Sequence, residues 1–301
     1  MNSIDYLNFF RWKNILMILL VQYLFKYVLF EKLNIEVSLD HMHFALLAIS
    51  TSFIAIAGYI INDINDVKAD IINKPEKLFV DKKITRIKAQ KLFIGFNSVG
   101  LLLGMYLSYH IHHTAYFIIY ILTSLLLHQY AIQLKKRFLI GNLIISFIVF
   151  FCIMMVAVFD VAPATNLYNI ESQQKMFDLF FLYAGFGFSL TFLREIVKDI
   201  EDIEGDKAIG AKSFPIVIGQ HKTKLLLIIT TVLLVIALSY IAYFIFNEHR
   251  NVSLYLSILV SLPLLYFILK LGKAKKKSDF HTLSGVLKII MLLGILSIIL
   301  I

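Results

Sequence analysis

Apolar residues run along this chain in long stretches, separated by short segments in which lysine, arginine and aspartate collect. The stretches are about 17 to 22 residues long, enough for a helix to cross a hydrocarbon core of about 30 Å. Their apolar character is nearly continuous around each helix, so length rather than a 3.6-residue period identifies them. The pattern predicts nine helices, at roughly 14–31, 42–62, 92–109, 114–133, 138–159, 176–197, 223–246, 252–270 and 283–301. The fold class expected is all-α, a polytopic membrane protein with no soluble module and no low-complexity linker.

Composition agrees. Of 301 residues, 59% are hydrophobic and only 16% charged, where a soluble domain carries about a quarter charged residues. Mean hydropathy is +0.79. Met1 to Lys13 is mixed polar and aromatic, and the first apolar run is followed by further spans, so it reads as an anchor rather than a cleavable leader. Cys152 is the single cysteine, which excludes an intrachain disulfide and a cysteine metal cage.

The net charge of +9 changes the picture only through its placement. The cations do not form a nucleic-acid surface, so no nucleic-acid partner is expected. They fall in alternate loops. Arg11 and Lys13 precede the first span. Lys68, Lys74, Lys77, Lys82, Lys83, Arg86, Lys88 and Lys91 follow the second. Lys135, Lys136 and Arg137 follow the fourth, Lys198, Lys207, Lys212, Lys222 and Lys224 surround the end of the sixth, and Lys273 and Lys275 to Lys277 follow the eighth. The intervening loops hold little beyond Lys32, Lys175, Arg250 and several histidines. The positive-inside rule then sets the N-terminus inside and the C-terminus outside. An integral protein of the cell's inner (cytoplasmic) membrane is expected.

Two acidic clusters lie on that predicted inner side. If the second span continues as a helix, Asn62, Asp66 and Asp70 recur every four residues and share a face, with Asp63 on the same flank. Asp199, Asp202 and Asp206, spaced three and four apart, form a second such face, and Gly205 is placed to open the helix near its end. Carboxylates this close repel, and a bound cation removes that cost. Hard oxygen donors without cysteine point to magnesium, which bridges one or two carboxylates to substrate phosphates. Two such faces opposed across a cavity suit a diphosphate, and nearby lysines and arginines suit its remaining charge. For any one aspartate a solvated loop is the plain alternative. An EF-hand fails because Gly210 falls where a loop starting at Asp199 needs its bidentate glutamate. An ion-coupled transporter is the rival reading, since intramembrane acids also mark ion paths, although these acids sit at span ends rather than mid-span.

At these residues the sequence resembles the UbiA superfamily of intramembrane prenyltransferases. Asn62 to Asp70 resembles its NDxxDxxxD box, and Asn73-Lys74-Pro75-Glu76-Lys77 its N-R-P-x-R continuation. Asp199 to Asp206 resembles its DxxDxxxD box. Tyr130 and Lys135, followed by Gly141-Asn142, resemble its Y-S-x-x-L-K…G-N segment. The resemblance implies one prenyltransferase domain over residues 1–301, nine helices around a central cavity, and a site facing the cytoplasm. It implies Mg2+ as cofactor, with Asn62, Asp66 and Asp70 ligating one ion, Asp63 supporting, and Asp199, Asp202 and Asp206 serving the other. Lys77, Lys135, Arg194 and Lys198 become diphosphate contacts, and Tyr130 a partner of the diphosphate or of the developing allylic cation. Asp66, Asp70, Asp202, Asp206, Tyr130 and Lys135 form the catalytic set. The chemistry implied is metal-assisted electrophilic alkylation. Lys77 stands where the family commonly has arginine, losing bidentate phosphate grip. Leu78 to Lys82 replaces P-L-x-x-G, leaving the loop's closure open, and Ala131 replaces a serine.

The stretch from Arg194 to Asp206, followed by Gly210-Ala211-Lys212-Ser213-Phe214-Pro215, is most similar to the branch that alkylates geranylgeranylglyceryl phosphate. The donor implied is geranylgeranyl diphosphate and the acceptor lipid-like. An aromatic acceptor, of quinone or tocopherol type, is the alternative. His41, His43, His110, His112 and His113 fall on the outer side as interfacial residues, and His128 is expected to pack within its helix.

Overall fold

The structure, a computed structural model, describes residues 3–301, apart from the side chain of Lys77. Among the described residues, nine helices are long and apolar enough to cross a membrane. After a short helix α1 (Ser3–Phe9) come α2 (Trp12–Leu33), α3 (His41–Asn73), α4 (Arg86–His110), α5 (Thr114–Ile132), α6 (Ile140–Ala164) and α7 (Ile170–Glu201). Two short helices follow, α8 (Ile203–Ala208) and α9 (Phe214–Ile218). The chain ends in α10 (Gln220–Ile245), α11 (Arg250–Lys273) and α12 (Lys277–Leu300). The protein is an all-α integral membrane protein.

The spans match the predicted stretches, but several run further. Hydropathy ends the second span at Asn62, whereas α3 continues to Asn73 because Ile64 and Ala69 keep a buried apolar stripe beyond it. At 33 residues, α3 is roughly 50 Å long, well beyond a hydrocarbon core of about 30 Å. The surplus carries the first acidic cluster. The same holds for α7, whose last turn carries Asp199. Helix starts are set by capping that hydropathy does not register: the Asp40 carboxylate accepts from the His43 backbone N–H at 2.8 Å, and Thr85 Oγ1 accepts from that of Lys88 at 3.4 Å.

The chain falls into two compact units, residues 1–135 with 150–184, and residues 136–149 with 185–301. In the first, Phe9, Ile60, Ile64, Val80, Ile84 and Ala131 form a buried cluster beside the first acidic segment. The loop that lacks P-L-x-x-G closes here. The backbone N–H groups of Lys83 and Ile84 donate to Phe79 O, Asp81 takes a left-handed φ of 62°, and Val80 and Ile84 insert into the cluster. In the second unit, Leu193, Ile196, Val197 and Ile200 of α7 pack with Phe267, Leu271, Phe280, Leu283 and Leu287 of α11 and α12. That packing fixes the rotation of α7 just before its acidic end.

Candidate diphosphate and metal site

In the first unit, Asn62, Asp63, Asp66 and Asp70 are half-buried on one side of α3, while Ile61, Ile64 and Ala69 are buried and Asn65 and Lys68 exposed. The face predicted by the four-residue spacing therefore exists. Asn62 Nδ2 donates to Asp66 Oδ2 at 2.6 Å. A single turn of 3-10 helix at Leu134–Lys136, directly after α5, delivers Lys135. Its ammonium donates to Asn62 Oδ1 at 3.3 Å and pairs with Asp66 Oδ1. Two oxygens one helical turn apart thus converge on one cation. Tyr130 is half-buried on the last turn of α5.

Asp63 has a different partner. Arg11 Nη2 donates to Asp63 Oδ1 at 2.6 Å, with the guanidinium 4.8 Å from the centroid of the Tyr59 ring. Arg11 takes a left-handed φ of 54° at the start of α2. Burial acts to lower the pKa of Arg11, but the adjacent Asp63 and Tyr59 outweigh it and raise it overall. In the sequence Arg11 counts only toward topology. Its pairing lies 52 residues away, and nothing in its local pattern signals it.

In the second unit, Asp199 lies on the last turn of α7, Asp202 at the break after it, and Asp206 within α8. The helix opens at Asp202, with φ −104° and ψ 10°, and not at Gly205, which is buried inside α8. The expected opening at glycine is thus displaced by three residues. Asn142 Nδ2 of α6 donates to Asp199 Oδ2 at 3.0 Å. Arg194 and Lys198 both reach Glu195 Oε1, at 3.3 and 2.8 Å. Arg194 Nε is buried without a hydrogen-bond partner among the described residues, so the guanidinium keeps donor capacity for an anion. The position of the Lys77 side chain lies outside the described residues.

These donors fit magnesium. The first set offers an amide and carboxylate oxygens in helical register, the second carboxylates alone, and neither contains a soft ligand. Among the described residues no three histidine, cysteine, aspartate or glutamate side chains enclose a metal by themselves. Magnesium does not require that, since it keeps several waters and takes one or two carboxylates plus substrate phosphates.

His41, His43 and His110 lie elsewhere. Along α3, His41 is 25 residues from Asp66, or roughly 38 Å. His43 stacks on His110 with ring centroids 3.6 Å apart, and His41 on Tyr27 at 5.5 Å. His128 packs against Phe93 at 6.1 Å.

The sequence profile of the UbiA prenyltransferase family matches residues 33–293. Digeranylgeranylglyceryl phosphate synthase of Sulfurisphaera tokodaii is 35% identical over 199 residues, 66% of this chain and 66% of the relative, just under two thirds of its length. The synthase of the same name from Methanobrevibacter smithii is 33% identical over 224 residues, 72% of this chain and 74% of that one. Among solved structures, one of a study on digeranylgeranylglyceryl phosphate synthase in membranes aligns with a TM-score of 0.62 at 27% identity, covering 98% of this chain and 96% of that one. A UbiA homologue from Archaeoglobus fulgidus, solved with DMAPP and Mg2+, aligns with a TM-score of 0.59 at 14% identity over 99% and 100% of the two chains, a likeness of fold.

Proposed function

The chain belongs to the UbiA prenyltransferase family, and from that premise we propose that it transfers a geranylgeranyl group from geranylgeranyl diphosphate to geranylgeranylglyceryl phosphate in the membrane. The observation that carries the diphosphate reading is the convergence of Asn62 and Asp66 on the Lys135 ammonium. It supports the reading that these oxygens receive positive charge and that the lysine shares it with an anion. The acceptor reading rests on the relatives of 33–35% identity named as digeranylgeranylglyceryl phosphate synthase.

Asn62, Asp66 and Asp70 would hold one magnesium, and Asp199, Asp202 and Asp206 the other. Magnesium, when bound, supplies neutralisation of the charge that builds on the diphosphate leaving group. Lys135, Arg194, Lys198 and Lys77 bind the diphosphate oxygens. The C1–O bond of the donor breaks with its electron pair on oxygen, C1 becomes an allylic cation, and the acceptor's glycerol hydroxyl attacks C1 and loses its proton. Tyr130 hydrogen-bonds the diphosphate or steers the cation. The apolar spans keep water from the cation, which water would quench. The site faces the cytoplasm from the inner membrane, where a soluble diphosphate has access.

The test offers purified protein geranylgeranyl diphosphate, Mg2+ and a panel of acceptors, with products identified by mass spectrometry. The ether of geranylgeranylglyceryl phosphate is expected, and Asp66→Ala and Asp202→Ala should each lose about 10²-fold or more of the rate, or roughly 2.7 kcal/mol of barrier. Product with aromatic acids alone would overturn the acceptor assignment. Normal turnover by both variants would overturn the metal roles.

A further inference from the structure

Glu201 lies between two aspartates of the second box, yet it points elsewhere. At 100° per residue it is about 200° from Asp199 around α7, on the opposite flank. Its side chain is 6% exposed, and its Oε1 lies 3.0 Å from Nδ1 of His281 in α12. Glu201 is also the last residue of α7, immediately before the backbone break at Asp202. The end of this helix is therefore held from two sides, with Asn142 of α6 on Asp199 and His281 of α12 on Glu201. A helix terminus frays unless tied, and here the fraying end would carry Asp199 and set the direction of Asp202 and Asp206.

We propose that His281 is a positioning residue for the second acidic box, acting through Glu201 to fix where α7 ends and hence the register of Asp199, Asp202 and Asp206. His281 touches neither substrate nor metal in this role. The inference rests on the metal reading of those three aspartates. Outer-shell partners of metal ligands typically carry 10–100-fold of metal affinity; Glu201 with His281 acts one step further out, through the backbone of the helix end, so the lower end of that range is expected.

The experiment uses the purified full chain with inorganic pyrophosphate and Mn2+, reading unbound Mn2+ by electron paramagnetic resonance without turnover. His281→Ala is expected to weaken Mn2+ binding about tenfold. His281→Asn places an amide N–H where Nδ1 stood and is expected to restore most of the affinity. Glu201→Met keeps the length, removes the acceptor, and tests the same tie should His281→Ala fail to fold. In the steady state, His281→Ala should need more Mg2+ for half-maximal rate yet recover kcat at saturation, which general damage to the fold would not allow. Wild-type Mn2+ affinity in His281→Ala and Glu201→Met, or a loss of kcat that saturating Mg2+ does not recover, overturns the positioning role. Asp202→Ala separates the two levels: its loss of Mn2+ binding upholds the metal reading whatever His281 does, whereas unchanged binding removes both.

Discussion

Lys26 and Asp160 are opposite charges buried to 6% and 0% exposure, with Nζ and Oδ2 2.7 Å apart. The ammonium also donates to Leu39 O, and Asp160 Oδ1 accepts from the Leu39 N–H at 2.7 Å. Each partner stands in a π-helical turn, Phe25–Leu29 and Ala157–Val161, where one extra residue per turn re-aims a side chain. Removing one partner leaves a buried charge uncompensated. Lys26→Met should therefore cost roughly 3–5 kcal/mol, and adding Asp160→Asn, which still accepts from Leu39, should recover much of it. Thermal unfolding in detergent checks both. None of this is legible in the sequence, because the partners are 134 residues apart and each looks like a stray charge near a span. Asp40 is a simpler case. Hydrogen bonds from the His43 backbone and ring hold its carboxyl pKa below the usual 3.8. A depressed carboxylate contributes stability above its unfolded pKa and loses it as pH falls through the folded value. The difference in midpoint between wild type and Asp40→Ala should thus stay constant from pH 8 down to about pH 5 and shrink only as pH drops below the ordinary carboxylate range.

At the scale of elements, the spans were readable because length alone decides them, and the first acidic face because α3 kept its helical register through Asp70. What hydropathy could not show is where a helix stops. That depends on caps such as Asp40 and Thr85, and the break after α7 falls at Asp202 rather than at Gly205. Nor could it show which glycines pack. Within α4, a Cβ on Gly104 would lie 2.5 Å from the Tyr120 ring of α5, whereas one on Gly95 meets nothing within 4 Å. Gly104→Ala should therefore force the helices apart at a cost of about 1–3 kcal/mol. Gly95→Ala should be neutral or stabilise by up to about 1 kcal/mol. The paired midpoints test the packing directly, because both substitutions make the same change to the same helix.

At the scale of the whole molecule, the candidate site divides by how its residues are connected. The residues legible in the sequence, Asn62, Asp66, Asp70, Asp199, Asp202 and Asp206, lie in local motifs whose spacing is their signal. The long-range partners beside them, Arg11 on Asp63, Asn142 on Asp199 and His281 on Glu201, act across 52, 57 and 80 residues, and no local pattern encodes such a pairing. Orientation in the bilayer is again a property of the whole chain, summed over its loops. The cationic segments 63–91, 134–137, 198–224 and 273–277 alternate with loops nearly empty of lysine and arginine, which supports the proposal that the former lie inside. The single cysteine makes this directly measurable. In a Cys152→Ser background, Glu248→Cys lies in the exposed connector between α10 and α11, and Lys275→Cys in the exposed one between α11 and α12. A membrane-impermeant maleimide should label Glu248→Cys in intact cells and Lys275→Cys only after permeabilisation. The reverse pattern would turn both acidic boxes to the outer face, away from a cytosolic diphosphate donor, and so would set the charge distribution against the proposed reaction.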